Sequence, residues 1–410
     1  MSIVKKAVLI LLVFSFVISV SACSQKVLKK TSDEQASTLN TAQNSYRTET
    51  TDDASAETES NQADKIKDTV TIDFLFAGDN LVHDTLYNQA SRNAEGNGYD
   101  FSSTYERIAP IIKNADFAVL NQETIVTDDF GPSSYPTFAS PEAVGDHMVK
   151  IGFDAMSISN NHVLDYGIDG LMSTLNYWKT KHPDITVYGA YESKEDRDNI
   201  RIKEIKGVKV AFLGFMEHTN GISLPDEYSS CVTYLDEIDE IERKIKKADE
   251  LADVVIVSPH FGVEIINEVT DEQYELAKKF TEWGADIIVG CQPHTVQKCD
   301  WVEADNGNKA FCYYCLGNMV SAMATCQTSV GILGRLELTY DFKNNEVTIT
   351  NPRAIPVVTH ISGIYQWDVF VYPYSEYTAA LASQSQVEDM SIENIEYYLS
   401  FIPKQYLSDK

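Results

Sequence analysis

The sequence predicts an α/β fold. From Val70 onward, short apolar runs alternate with amphipathic stretches of helical period, the pattern of strands linked by helices. The runs are nearly continuous in apolar residues, as expected of strands buried on both faces. After Gly331 the pattern changes to strand followed by strand, and Lys343-Asn344-Asn345 between them reads as a hairpin turn.

Before this region the chain reads differently. Lys5 and Lys6 precede the apolar run AVLILLVFSFVISV, which is too short for a comfortable membrane span and ends at VSAC. This resembles a bacterial lipobox. Residues 1–22 are therefore expected to be a lipoprotein signal peptide and Cys23 the lipidation site. A lipid there would hold the protein to the membrane, on the outer face of the cytoplasmic membrane. Residues 23–68 are polar and acidic with few apolar side chains, too little to bury a core, and read as a disordered tether.

Within the α/β region, residues 69–360, the strand candidates are VTIDFLFAG, DFAVLNQ, FDAMSIS, TVYGA, VKVAFLGF, DVVIVSP, ADIIVG and AFCYYCLG. Helices are expected over 140–152, 167–181, 234–252 and 270–284. Residues 361–410 read as a helical extension packed on the outside of the domain.

The formal net charge is -28. So acidic a chain repels nucleic acid and anionic membrane surfaces alike. Six cysteines follow Cys23: Cys231, Cys291, Cys299, Cys312, Cys315 and Cys326. Outside the cell an even number permits disulfides, but no spacing requires them. Cys312 and Cys315 lie in an apolar strand-like run, where positions i and i+3 face opposite sides, so they read as core residues.

The polar residues fall in a pattern. The first strand ends in Asp79, with His83 four residues on, and the second in Asn121 and Glu123. The third ends in Asn160, Asn161, His162 and Asp165. VAFLGF leads to His218 and Asn220, VVIVSP to His260 and Glu264, and DIIVG to Gln292 and His294. Carboxyl ends of strands are where open α/β sheets build their sites. One such end would mean little, since Asn and Asp begin turns and cap helices, a role that suits Asn80 and Asp128. Six together point to a site. Carboxylates mixed with imidazoles suit borderline divalent ions, manganese, zinc or iron, one or two of them. There is no G-x-S-x-G elbow and no Walker loop.

The blocks GDNLVHD, LNQE, SNNHVLDYGIDGL, HTNG, PHFGVE, GADIIVGCQPHTVQ and LGN occur in the order seen in the CapA family of bacterial poly-γ-glutamate capsule synthesis proteins, and the chain resembles that family over about Val70 to Met323. The family is similar to the calcineurin-like metallophosphoesterases. The resemblance implies a two-sheet sandwich flanked by helices, a four-layer αββα arrangement, with the late strands supplying a second, mostly antiparallel sheet. It implies metal ligands at Asp79, Glu123, Asn161, His260 and His294, with Glu123 at the position of a bridging acid. His162 would contact substrate or donate a proton, and Asp165 would hold its tautomer. Asn121, Asn220, Glu264 and Gln292 would line the substrate. Asn160 would shape the turn. Gln292 departs from the pattern, which expects a histidine there, and an amide oxygen is a weaker ligand for zinc-like ions.

The resulting expectation is a membrane-anchored protein in the synthesis, export or attachment of an anionic surface polymer, poly-γ-glutamate in the first instance, with a metal-dependent hydrolase-like site for a phosphoester or polymer bond. Bound metals and local Lys or Arg would offset the chain's charge. The alternatives are a non-catalytic polymer-binding or scaffold subunit of a membrane synthase, and a secreted phosphoesterase unrelated to capsule.

Overall fold

The computed structural model describes residues 68–408. The expected signal peptide, Cys23 and all of the expected tether but Asp68 lie outside the described residues. The strands, in chain order, are β1 (Thr69–Asn80), β2 (Phe117–Asn121), β3 (Ile125–Val126), β4 (Ala139–Ser140), β5 (Ala155–Ser157), β6 (Thr186–Tyr188), β7 (Arg201–Ile205) and β8 (Val208–Met216). They continue with β9 (Val254–His260), β10 (Ile287–Val289), β11 (Cys299–Glu303), β12 (Lys309–Tyr313), β13 (Asn318–Val320), β14 (Val330–Asp341), β15 (Glu346–Ser362) and β16 (Asp368–Pro373).

Two sheets carry the fold. The first runs β16-β15-β14-β1-β2-β5-β6, with β13 beside the end of β1; the second runs β11-β12-β10-β9-β8-β7. β1, β2, β5 and β6 are mutually parallel, as are β8, β9, β10 and β12. Strand alternation sends Phe74 and Phe76 into the space between the sheets and Leu75 to the outer face. There Phe74, Phe117, Phe212 and Tyr188 meet ring to ring, at centroid distances of 5.5–5.9 Å. Full burial of each such ring is worth about 1.5–3 kcal/mol. The outer face of the first sheet is covered by helices that include Asp84–Asn93 and Glu142–Ile151. The outer face of the second is covered by Ile238–Leu251 and Asp271–Trp283. These are the four αββα layers.

The expected helices form, trimmed by a few residues. The helix at 271–283 starts at a capping box, with Thr270 Oγ1 accepting from Gln273 N and Gln273 Oε1 accepting from Thr270 N, and stops at Gly284 with φ 115°. Among the described residues no helix is long and apolar enough to cross a membrane.

Two expectations need correction. The late strands do not build the second sheet; they extend the first. β14 pairs antiparallel with β1 from Thr69↔Asp341 to Ala77↔Leu333, and β15 and β16 follow outward. The second sheet comes from the middle of the chain. The alternation of β14 shows that it is half-buried but not which neighbour it will find. The hairpin through Asn344 does form, with Asp341 Oδ1 accepting from Lys343 N at 2.8 Å. Residues 361–410 are also not simply helical. Asp368–Pro373 is an edge strand with Val369 and Val371 buried. The longest helix there is Ile392–Leu399, and Ile395, Leu399, Ile402 and Tyr406 pack into the core between the sheets.

All six cysteines of the described region are free and buried. Cys312 sits in the core beneath the helices of the second sheet.

Candidate metal centre

The carboxyl ends of β1, β2 and β5 from one sheet and of β8, β9 and β10 from the other converge on one cluster. Asp79 lies one residue before the end of β1, level with Asn121 of β2 and Asn318 of β13. A Cβ on Gly78 would fall 1.9 Å from Gly317 O, so glycine there lets β1 approach this loop and lets Asp79 N donate to Gly317 O at 3.1 Å. Asn121 Nδ2 donates to Asp79 Oδ1 at 2.7 Å.

His294 Nδ1 is 3.1 Å from Asp79 Oδ2 and 3.0 Å from Asn318 Oδ1, and its Nε2 is 3.7 Å from Glu123 Oε1. On the other side, His260 Nε2 is 3.6 Å from the same Glu123 oxygen and 3.1 Å from Asn161 Oδ1. Asp79, Glu123 and His294 each offer a ligand atom, all within 4.8 Å of one another. The turn bearing His294 is strained: Gln292 has φ 106° and His294 φ 58°, conformations that side chains other than glycine adopt at a cost of about 1–3 kcal/mol each and that cluster at functional sites.

The electrostatics follow from burial. Burial works against the charge of Asp79, yet the hydrogen bond and charge of His294 hold its carboxyl below the usual value. Burial, then the charge of Asp79, push Glu123 well up. Burial lowers His260 to about 3. Burial also opposes protonation of His294, but Glu123 and Asp79 raise it to about 10. Both Glu123 oxygens are buried without a hydrogen-bond partner. Unpartnered carboxylate oxygens in a dry site are costly. Two carboxylates, imidazoles and an amide oxygen make a donor set that fits a divalent ion, and such an ion would satisfy Glu123. Cys291 adds a thiol, pushed well up by burial and by Asp79, which makes it a neutral neighbour rather than a thiolate.

Beside this group, His162 Nδ1 donates to Asp165 Oδ2 at 2.8 Å, which leaves Nε2 free. Phe138 N also donates to that oxygen, at 2.5 Å, and the Phe138 ring stands edge-on to His162 at 4.7 Å. Asn161 Nδ2 donates to Asn220 Oδ1 at 3.3 Å. Gln292 Nε2 donates to the exposed Glu264 at 3.4 Å, while Gln292 Oε1 is buried without a partner. Thus Asp79, Asn121, Glu123, Asn161, His162, Asp165, His260 and His294 meet in one buried cluster, with Asn220, Glu264 and Gln292 around it. His83 and His218 are not within hydrogen-bond reach of it. His83 Nδ1 instead lies 3.1 Å from Leu81 O and 3.2 Å from Ala322 N, and Asp128 accepts from Glu142 N at a helix start.

Sequence reasoning missed two parts of the cluster. Asn318, in the short block LGN, reaches His294. The second is an amide network one residue off the candidate ligands. Asn80 Nδ2 donates to Gln122 Oε1 at 2.7 Å, Tyr105 OH to Asn80 Oδ1 at 2.7 Å, and Asn160 Nδ2 to Gln122 O at 2.9 Å. Gln122 Nε2 donates to Thr124 Oγ1 at 3.0 Å. Asn160 also closes its turn by accepting from His162 N at 3.2 Å. The period of two was the available signal: neighbours of the candidate ligands point the other way and are still polar.

Comparison with known proteins gives the family. Residues 73–323 match the model of the bacterial capsule synthesis protein family, PGA_cap. The chain is similar to the capsule biosynthesis protein CapA of Bacillus anthracis, 29% identical over 236 residues, 55% of each chain. It is similar also to the PGA biosynthesis protein CapA of Bacillus subtilis (strain 168), 29% identical over 222 residues, 53% of this chain and 56% of that one. The matches span about half the length of these relatives. Among solved structures it resembles a novel phosphatase of Mycoplasma pneumoniae, at 15% identity and TM-score 0.43, over 71% of this chain and 94% of that one. The NAD nucleotidase of Haemophilus influenzae is similar at 15% identity and TM-score 0.43, over 83% and 57%. The structural likenesses carry no weight on function. The family match covers more than half of the chain and includes every strand end of the cluster, and the chain belongs to the bacterial capsule synthesis protein family PGA_cap.

Proposed function

We propose that this chain is a metal-dependent hydrolase acting in the synthesis, export or attachment of a capsular polymer, held outside the cell by a lipid on Cys23. The family membership and the names of the two relatives support the capsule assignment, and the second name supports poly-γ-glutamate. The anchor rests on the lipobox-like VSAC. The observation that carries the hydrolase reading is Glu123: a buried carboxylate with neither oxygen satisfied, between two histidines and beside Asp79.

Asp79, Glu123 and His294 would hold the ion, with His260 and Asn161 next to it. A bound divalent ion supplies Lewis-acid polarisation of the scissile bond. The chain's own groups do the rest. Asn121 restrains the Asp79 carboxylate. Asp165 would fix the His162 tautomer, leaving Nε2 to pass a proton to the leaving atom. In the net reaction water adds across the bond: its oxygen joins the phosphorus or acyl carbon, and the leaving group departs protonated.

The test is the metal content of the purified full-length chain by plasma mass spectrometry, with Asp79→Asn and His294→Ala beside it. Stoichiometric transition metal in the wild type, lost in both variants, is the expected result; a wild type without metal sinks the proposal. A second reading, polymer binding without catalysis, is favoured by Gln292 at the position where the family pattern has histidine. Metal bound at full occupancy with no turnover of any phosphoester or capsular polymer would select it.

A further inference from the structure

Among the described residues, the loops that bear the candidate metal centre hold no lysine or arginine. The connections leaving its strand ends are residues 81–83, 122–141, 158–166, 217–237, 261–270, 290–297 and 314–329, and none contains a lysine or arginine. They carry carboxylates instead, Glu217 and Glu264 exposed and Asp165 beside His162. The nearest basic residues in sequence are occupied elsewhere. Arg243 Nε donates to Glu240 at 2.8 Å, Arg335 Nε to Asp73 at 2.9 Å, and Lys298 lies over the Tyr274 ring at 4.9 Å. The local Lys or Arg expected to offset the acidic charge are absent from these loops.

Helix N-termini are the other common source of positive potential. The five helices of ten or more residues that start on this side of the sheets each carry an acid in the first turn: Asp84, Glu142, Asp169, Asp239 and Asp271. One divalent ion, in turn, is offset by Asp79 and Glu123. A dianion arriving here meets carboxylates and no counter-charge beyond that ion.

We propose that the site selects substrate by charge, taking a linkage that is neutral or singly negative at the reacting group and rejecting dianionic phosphomonoesters and runs of ionised carboxylate. A polymer of ionised carboxylates would then reach the centre only with its charges neutralised by bound cations, or through a low-charge linkage. Each rim carboxylate about 8 Å from the extra charge, in water-like dielectric, disfavours it by roughly two- to threefold. Three of them together give about tenfold. This selection rests on the metal-hydrolase reading of the same site, and one arm of the test is independent of turnover.

With the manganese-loaded full-length chain, kcat/KM is measured for bis(4-nitrophenyl) phosphate, a monoanion, and 4-nitrophenyl phosphate, a dianion. Sodium chloride is raised from about 20 to about 500 mM, which shortens the screening length from roughly 20 Å to about 4 Å. The expected result is about tenfold or greater preference for the diester at low salt and a monoester rate that rises with salt. Glu264→Lys, at an exposed position, raises the monoester-to-diester ratio severalfold. A monoester preference, a monoester rate that falls with salt, or a ratio unmoved by Glu264→Lys overturns the proposal. In the binding arm, calorimetry with a soluble γ-glutamate oligomer finds no saturable binding at low salt; tight binding that weakens as salt rises overturns it. If neither ester turns over, the hydrolase reading fails while the binding arm still decides the charge selection.

Discussion

Glu123→Gln should give a chain more stable than the wild type without metal and less stable than it with metal. Without metal, the wild type keeps two carboxylate oxygens buried and unpartnered. Asp79 adds like charge, and neither His260 at 3.6 Å nor His294 at 3.7 Å is close enough to hydrogen-bond. Removing a buried, unpartnered carboxyl whose ionised form burial and Asp79 disfavour is worth roughly 1–3 kcal/mol. The amide is nearly isosteric, so no cavity opens. In chelator, the variant should therefore be more stable than the wild type by about that amount. With metal at about a hundred times its Kd, the wild type gains about 2.7 kcal/mol by mass action. The variant, lacking a charged ligand, should gain little. The assay is urea unfolding of both chains, each in chelator and in manganese, read as the shift of midpoint at constant slope. A variant less stable than the wild type in chelator, or a wild-type midpoint that metal does not move, would show that Glu123 is held by the protein alone.

Three further outcomes follow from the same geometry. Asp165→Asn should lower kcat by about a hundredfold or more, with KM nearly constant, because His162 loses its charged, acceptor-only partner and an amide can hold the other tautomer; a loss under about threefold would remove the pair from the mechanism. Gln122→Leu should weaken metal affinity about 10–100-fold and shift the visible spectrum of the cobalt-substituted protein; an unchanged spectrum would make the amide network a fold element only. Burial, reinforced by Lys150, lowers His147 from 6.5 to about 4. The unfolded chain therefore binds this proton first as pH falls, and stability contributed by the neutral ring is lost between pH 6.5 and about 4, by up to about 3 kcal/mol. His147→Gln should flatten that acid limb in unfolding curves taken at several pH values, and an equally steep limb would count against the assignment.

The parts of this molecule that could be read from its sequence are those set by local chemistry, and the parts that could not are those set by partners far along the chain. Asp79, Glu123, His260 and His294 were legible because each follows an apolar run at the position where a parallel strand must stop, and six such stops in one chain point to a shared site. Nothing local told β14 to pair with β1 across more than 250 residues of sequence, and its half-buried alternation would have served in either sheet. The same separation explains the missed residues. Asn80, Gln122 and Asn160 looked like turn formers beside their more reactive neighbours. Only when the two parallel strand ends lie side by side does Asn80 face Gln122, and only then do the amides form a plate behind the candidate ligands. That plate bears on the weakest point of the sequence reading. Gln292 leaves one ligand position short of an imidazole, yet the strained turn that would present a side chain there is kept, with φ 106° at Gln292 itself. Backbone strain of this kind persists only where the surroundings over-determine it. Asp79 and Glu123, tied to the amide plate through their neighbours, and His294 beside them are the part of the cluster on which metal binding would rest, and an ion bound there would not need Gln292.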